Sequence, residues 1–176
     1  MTWNSIAFCD EIYDKVKSGD LAKVKTLLKA NPDLVNSTNG YNSRTPLFAA
    51  VIEDRKEVAE FLLASKADVN APDKNGQTPL FLVTHKDMAQ LLLDHKADVN
   101  AKAHNNNTPL HTAALLDRLD IVKFLLDNKA DVNAKNKLGW TPMHMALTNN
   151  NKEVIDYRAN TAARNKHRYL NPLNCF

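Results

Sequence analysis

The feature that most constrains the fold of this chain is an internal repeat, with a period of about 33 residues. The tripeptide T-P-L or T-P-M recurs at Thr45, Thr78, Thr108 and Thr141. A second string, D-V-N-A, recurs at Asp68, Asp98 and Asp131, and its two steps equal the last two steps of the first marker. Because two different markers keep the same spacings, the period belongs to a repeated structural unit.

Each period predicts two short helices. Thr108 followed by Pro109 is typical of a helix start, with a hydroxyl at the N-cap and proline at the first helical position. Asp117 interrupts this helix, and Asp120 opens a second one whose apolar residues recur three and four positions apart. Such a pair cannot bury its apolar face alone, so neighbouring units must stack to form a core.

The T-P-L-H and D-V-N-A motifs at this period resemble the ankyrin repeat family, and the resemblance covers about residues 10–157. It implies an all-α ankyrin-repeat solenoid of helix-turn-helix units joined by β-turn fingers, with about five units and atypical end caps. We expect residues 1–9 to be an N-terminal extension and 158–176 to be a C-terminal cap helix or a basic tail. Units one to five are then expected at residues 10–36, 37–70, 71–100, 101–133 and 134–157.

Asparagine is abundant, with 21 residues in the chain, whereas glycine is scarce, with 4. Asparagine and aspartate tolerate a positive φ better than other side chains that carry a Cβ. Asn106, Asp54, Asp117 and Asn150 replace glycine at turn positions of the family pattern. A further set recurs at the ends of the units: Asn36, Asn70, Asn100 and Asn133. We therefore predict that much of the asparagine excess is turn chemistry.

Two units depart from the pattern. Unit three lacks the three residues that should follow Thr84 between its helices, which predicts a shortened first helix or a tightened corner. The expected result is a local notch or a change in the curvature of the solenoid. In unit five, Arg158 and Ala159 stand where two leucines belong. Three interpretations of residues 158–176 remain open: a polar C-terminal cap, a loose basic tail, or a truncated or frame-shifted end.

Motifs for catalysis or ligand binding are not found. None of the six histidines has a metal-ligand spacing, and the chain has no nucleophile elbow, phosphate loop or glycine-rich nucleotide motif. His111 and His144 hold the fourth place of T-P-L-H, where the resemblance implies a hydrogen bond between adjacent units; Phe48 and Phe81 hold this place in units two and three. We predict no catalytic, cofactor-binding or metal site, and hence no enzyme.

The charge, the hydropathy and the N-terminal sequence indicate which partners and which compartment to expect. The net charge of +3 does not demand a nucleic acid or an acidic membrane as partner. No apolar run approaches the length that a membrane-spanning helix needs, and the N-terminus lacks the pattern of a signal peptide. With Cys9 and Cys175 taken as reduced thiols, we expect a cytoplasmic protein, or a secreted effector without a classical signal peptide.

The resemblance also implies where a partner would bind, because ankyrin proteins usually use the concave face formed by the turn tips and the outer side of each first helix. Exposed apolar side chains on that face favour an interface. Trp140 has an intramolecular alternative, which is to pack on the next tip. The predicted partner-binding residues are Tyr41, Arg44, Ile52, Lys74, Gln77, His104, Asn107, Leu115, Leu116, Lys137, Leu138 and Trp140.

The function predicted from these observations is a non-catalytic protein–protein interaction module, in a bacterial regulator or a host-directed effector. We expect a monomer that binds another protein through its concave face. We expect it to bind no small-molecule substrate, cofactor, membrane or nucleic acid. The alternative is contact with a nucleic acid or an acidic partner through the basic C-terminal segment. That segment carries Arg158, Arg164, Lys166, His167 and Arg168.

Overall fold

A computed structural model describes the backbone of residues 3–157 and the side chains of residues 10–157. This part of the chain contains helices and turns and no strand, which confirms the all-α fold class. The three interpretations of residues 158–176 lie outside it. The α-helices are α1 Trp3–Ser18, α2 Leu21–Ala30, α3 Pro46–Ile52, α4 Lys56–Ala64, α5 Lys86–Asp94, α6 Pro109–Leu115, α7 Leu119–Asp127 and α8 Pro142–Thr148. Pro32–Asn36 and Pro79–Leu82 are 3-10 helices, and residues 152–157 are helical.

The first helix of units two, four and five starts as the Thr-Pro motif predicts. Each N-cap threonine has an extended backbone, with ψ of 166° at Thr45, 168° at Thr108 and 167° at Thr141, and proline follows at the first helical position. Proline fits there because its missing N–H would have no partner within the helix. In unit one, by contrast, Asp10, with which the expected unit begins, lies inside α1, which already begins at Trp3.

Residues with a positive φ lie at the predicted turns, where the helices end. Asp54, Asp117 and Asn150 have φ of 51°, 54° and 54° between the two helices of their units, and Asn106 has φ of 62° in a turn. These four values confirm that asparagine and aspartate stand in for glycine there. A second set of positive-φ residues, not expected from the sequence, follows the second helices: Lys66, Lys96 and Lys129, with φ of 70°, 71° and 69°.

The asparagines at the ends of the units also join neighbouring units. Asn70 and Asn100 lie in turns, as expected, but Asn36, Asn70 and Asn100 are not among the positive-φ residues, so a left-handed backbone does not explain them. Instead, each side-chain oxygen accepts a hydrogen bond from a backbone N–H of the following unit, at 2.8 to 2.9 Å. Each side-chain amide donates to the carbonyl oxygen of a positive-φ lysine, at 3.1 to 3.3 Å. These asparagine joints are Asn36 with Lys66 and Asp68, Asn70 with Lys96 and Asp98, and Asn100 with Lys129 and Asp131.

Unit three is compressed where its three residues are missing. Its first helix is the single 3-10 segment Pro79–Leu82 in place of an α-helix, which confirms the predicted shortening. Arg118 of unit four reaches across and donates from Nη1 to the carbonyl oxygen of Val83, at 2.9 Å. An open cavity of about 270 Å³ lies beside this corner, and its lining includes Thr84, Asp117 and Glu153.

The core runs along the whole stack because each helix pair packs on the next. Ile12 and Val16 of α1 are fully buried, and α1 packs against α3. Phe48 and Phe81, at the fourth place of the repeat motif, are 0% and 2% exposed. Packing thus replaces the polar link in units two and three. Within the residues that the structure describes, no helix is long and apolar enough to cross a membrane.

The stack is open at the far side of unit five, as far as the chain is described. Leu147 is 55% exposed, whereas the residues at the same repeat position in units two and four, Val51 and Ala114, are 0% and 1% exposed. The difference arises because each earlier unit is covered by its successor. Leu147 was therefore not recognisable as an exposed residue from the repeat pattern.

Candidate protein-interaction surface

The fingers of the stack form a continuous row joined by backbone hydrogen bonds. We define the four finger tips as residues 39–44, 72–77, 102–107 and 135–140. Each tip closes on itself, for example through the N–H of Asp73 and the carbonyl oxygen of Gln77, at 2.8 Å. Adjacent tips are then linked by three equivalent N–H to carbonyl bonds, each of 2.9 Å: Lys74 to Asn42, His104 to Asn75, and Lys137 to Asn105. Because every tip is held by its neighbours, the row is pre-organised before a partner arrives.

The crest of this row carries four predicted partner-binding residues. Tyr41, Lys74, His104 and Lys137 hold the same position in successive tips, and all four side chains are exposed. Tyr41 has 83% of its surface accessible. The Nζ atom of Lys74 lies 4.8 Å from the centroid of the Tyr41 ring, a cation–π contact that covers one face of the ring.

Arg44 was predicted to contact a partner, but the structure places it in an internal ion pair. Its Nε atom lies 3.3 Å from Oδ2 of Asp73, whose side chain is fully buried. The other carboxylate oxygen of Asp73 accepts from the N–H groups of Asn75 and Gln77, at 2.8 and 3.1 Å. Arg44 therefore ties the first tip to the second, and only 21% of its side chain remains accessible.

Asn107 has a similar internal task between the third and fourth tips. Its side-chain oxygen accepts a hydrogen bond from Nδ2 of Asn136, at 2.9 Å. Oδ1 of Asn136 accepts from the N–H groups of Leu138 and Trp140, at 2.9 and 3.0 Å. The amide pair of Asn107 and Asn136 thus ties the third tip to the fourth, as the ion pair of Arg44 and Asp73 ties the first tip to the second. Asn107 and Gln77 are both half-buried.

His111 connects the interior of unit four to the last tip. Its ring is fully buried, and Nδ1 accepts from the N–H of Thr108 at 3.1 Å. Nε2 must then carry the proton, and it donates to the carbonyl oxygen of Trp140 at 3.0 Å. Burial lowers the pKa of His111 below its ordinary value, partly offset by the Trp140 carbonyl and by Asp131. This bond confirms the predicted link between units.

His144 repeats only the first half of this arrangement. Its Nδ1 accepts from the N–H of Thr141 at 3.2 Å, and its ring is exposed. Among the described residues, Nε2 of His144 has no acceptor, because no further unit follows in that part of the chain. The predicted inter-unit bond is therefore seen for His111 alone.

The apolar candidates differ in how accessible they are. Leu138 is 72% exposed and Trp140 is 37% exposed in the last tip. On the first helices, Leu116 is 49% and Ile52 is 38% exposed. Leu115 is half-buried, so the predicted leucine pair presents mainly Leu116. The apolar groups open to a partner thus lie at the first tip, at the last tip and along the helices between them.

Charge is concentrated on the finger tips. They contain five lysine and arginine side chains and one carboxylate, giving a net charge of +4, whereas the whole chain has +3. The one carboxylate is Asp73, which is buried and paired with Arg44. The free cations are Lys74, Lys102, Lys135 and Lys137, and no carboxylate of the described residues is paired with them. The sequence analysis missed this pattern, which counting the charges of each tip would have found.

A metal centre finds no support in the part of the chain that the structure describes. No group of three or more His, Cys, Asp or Glu side chains is arranged there to hold an ion. Asp73 of the second tip and His111 of α6 act instead as hydrogen-bonding groups of the scaffold.

Comparisons with known proteins match nearly all of the described chain. A family model for ankyrin repeats in three copies matches residues 12–103, and a second for ankyrin repeats in many copies matches residues 110–157.

Three curated relatives are similar over shorter segments. Inversin from Gallus gallus is 33% identical over 76 residues, which cover 43% of this chain and 7% of that protein. An ankyrin repeat protein from Rickettsia felis is 34% identical over 74 residues, covering 42% and 24% of the two chains. The serine/threonine-protein kinase VIK from Arabidopsis thaliana is 43% identical over 61 residues, covering 35% and 14%. The chain thus spans less than a quarter of the length of each of these relatives.

Proposed function

The chain belongs to the ankyrin repeat family, whose repeats are generally protein–protein interaction modules, and from this premise we propose that it binds another protein through its concave face. The face consists of the finger tips together with the outer side of the first helices. Binding is the whole activity in this proposal, with no catalytic step. A cytoplasmic regulator and a host-directed effector are the two roles that we propose for such a module.

The observation that carries this proposal is the exposure of apolar side chains on a row of tips that is already rigid. Tyr41 and Leu138 are 83% and 72% exposed, at opposite ends of the row. Apolar side chains held open to water favour association, because burying them against a partner removes their surface from water. A surface fixed by backbone hydrogen bonds also loses little conformational entropy when it binds.

The experiment that tests this proposal compares partner capture by three forms of the chain. The immobilised wild-type chain, the Tyr41→Ala/Leu138→Ala variant and the Leu147→Ala variant are incubated with a lysate of the cells that produce the protein. Captured proteins are identified by mass spectrometry, and affinity is then measured with the purified partner. Leu147 is a matched control, since it is an exposed leucine at the open end of the stack and outside the concave positions.

We expect the double variant to bind the partner at least about tenfold more weakly, since each exposed apolar anchor contributes about 1–2 kcal/mol. The Leu147→Ala variant should bind like the wild type. Circular dichroism and urea midpoints should be alike for all three forms. The proposal fails when the double variant retains full affinity, or when Leu147→Ala weakens binding as much as the double variant does.

A further inference from the structure

The charge of the finger tips points to the chemistry of the partner. We propose that the segment bound on the tips is an extended, acidic stretch of another protein, with several Asp or Glu residues between two apolar ends. This inference rests on the proposed function, because it specifies what the concave face binds.

The acidic character follows from the cations of the tips that have no carboxylate partner. Lys74 and Lys137 are exposed on the crest, and Lys102 and Lys135 flank the same row. No carboxylate among the described residues forms an ion pair with any of these four lysines. Like charges gathered on one surface repel each other, and an acidic partner would relieve that repulsion and speed association.

The apolar ends follow from the position of the exposed apolar side chains of the tips. Tyr41 lies in the first tip, and Leu138 and Trp140 lie in the last. Three steps between units separate these tips, and at roughly 10 Å a step the distance is about 30 Å. An extended segment advances about 3.3 Å per residue, so about nine residues would span the row. The lysines of the row then face the middle of the segment.

The same cations could attract a nucleic acid, but the side chains around them favour a peptide. Proteins that bind single strands stack bases on open aromatic faces. One face of the Tyr41 ring is already covered by the Nζ atom of Lys74, 4.8 Å from its centroid. In the last tip, the most exposed apolar side chain, Leu138, is aliphatic, and the aromatic Trp140 is only 37% exposed. Apolar side chains at the two ends of a peptide fit these positions better than bases do.

Fluorescence anisotropy with synthetic peptides tests the inference directly. The probe is a labelled peptide of about eleven residues, with leucine at each end and alternating glutamate and serine between them. The matched probe has glutamine in place of every glutamate. We expect the acidic peptide to bind at least about tenfold more tightly than the glutamine peptide at low salt, and to lose this advantage as the salt concentration rises.

Two double variants with the same change in net charge test whether the acidic peptide binds at the finger tips. Lys74→Glu/Lys137→Glu reverses two charges on the crest, whereas Lys56→Glu/Lys152→Glu reverses two exposed charges on the second helices. We expect the crest variant to bind the acidic peptide at least about tenfold more weakly and the control variant to stay within about twofold of the wild type.

The following results would overturn the inference. The two peptides could bind equally, neither could bind, or both double variants could weaken binding to the same extent. Tighter binding of a twelve-nucleotide single strand than of the acidic peptide would assign the row to nucleic acid. Capture of the natural partner that survives Lys74→Glu/Lys137→Glu but is lost in Tyr41→Ala/Leu138→Ala would reject an acidic partner while leaving the proposed function intact.

Discussion

The Nε2 atom of His111 lies 3.0 Å from the carbonyl oxygen of Trp140, across the boundary between units four and five. A buried ring in one unit thus holds the backbone of an exposed residue in the next. Nδ1 of the ring accepts from the N–H of Thr108, so the ring is neutral and carries its one proton on Nε2. Through that proton, the interior of the stack is hydrogen-bonded to the candidate interaction surface.

The stability of the stack should decrease in acid because of this histidine. Burial lowers the pKa of His111 below the ordinary 6.5, so the unfolded chain takes up a proton more readily than the folded chain. The contribution of His111 is complete above about pH 6.5 and is lost as the pH falls through its lower folded value. Urea midpoints measured between pH 7.5 and pH 5 should fall for the wild type.

The His111→Phe variant should show a smaller fall over the same range. Phenylalanine occupies this repeat position in units two and three, as Phe48 and Phe81, so the variant has a precedent within the chain. Four other histidines are exposed and stay unchanged in the variant: His85, His95, His104 and His144. Parallel falls in both proteins would show that His111 is not the group responsible.

The asparagine joints should contribute to stability through the backbone groups that they satisfy. Asn100→Ala removes one side chain that bonds both the N–H of Asp131 and the carbonyl oxygen of Lys129. We expect this to lower the free energy of unfolding by about 1–2 kcal/mol. Asn133→Ala is the matched control, since Asn133 makes no such side-chain joint among the described residues, and it should change stability by less than about 0.5 kcal/mol. Equal losses in urea denaturation would argue against a role for the joints.

The lysines with positive φ should be sites where glycine stabilises the protein. Lys96 has φ of 71° and an exposed side chain, so its Cβ strains the backbone without packing in return. We expect Lys96→Gly to raise the free energy of unfolding by about 0.5–1 kcal/mol. Lys96→Ala keeps the Cβ and should give no gain. A thermal or urea midpoint that rises equally in both variants would attribute the effect to loss of the lysine charge.

The ion pair between the first two tips should be needed for stability as well as for shape. Arg44→Ala leaves the buried carboxylate of Asp73 without its cation, and we expect a loss of about 1–3 kcal/mol in urea denaturation. Adding Asp73→Asn removes the unpaired charge and imitates Asn136, which holds the same place in the last tip. The double variant should therefore recover part of the loss. No recovery would mean that Arg44 stabilises the tip by other contacts, such as its cation–π contact with Phe48.

The fold was predictable from the sequence because its signals are local. The Thr-Pro starts and the Asp54 and Asp117 turns each specify a backbone geometry through one or two residues, and the structure has those geometries. The shortened helix of unit three also followed from counting residues between motifs. The boundaries of the units and the partner-binding set stay predictions.

Contacts between units could not be predicted from the pattern of one unit. Arg44 is a tip residue by its motif position, and its ion pair with Asp73, 29 residues away in sequence, is seen only in the structure. The asparagines are recognisable from the sequence as unit-end residues, but their hydrogen-bond partners lie in the following unit. A repeat pattern gives the position of each residue within its unit, but the pairing between units depends on how closely the units stack.

The uniformity of the asparagine joints has a consequence for how such a chain can change in length. At three successive boundaries the same side chain bonds the same two backbone groups of its neighbour, so the joint does not depend on which units it connects. After duplication or deletion of a whole unit between two joints, the new boundary would have the same hydrogen bonds as the others. The stack is therefore suited to evolve by exchange of whole units, each bringing its own finger tip.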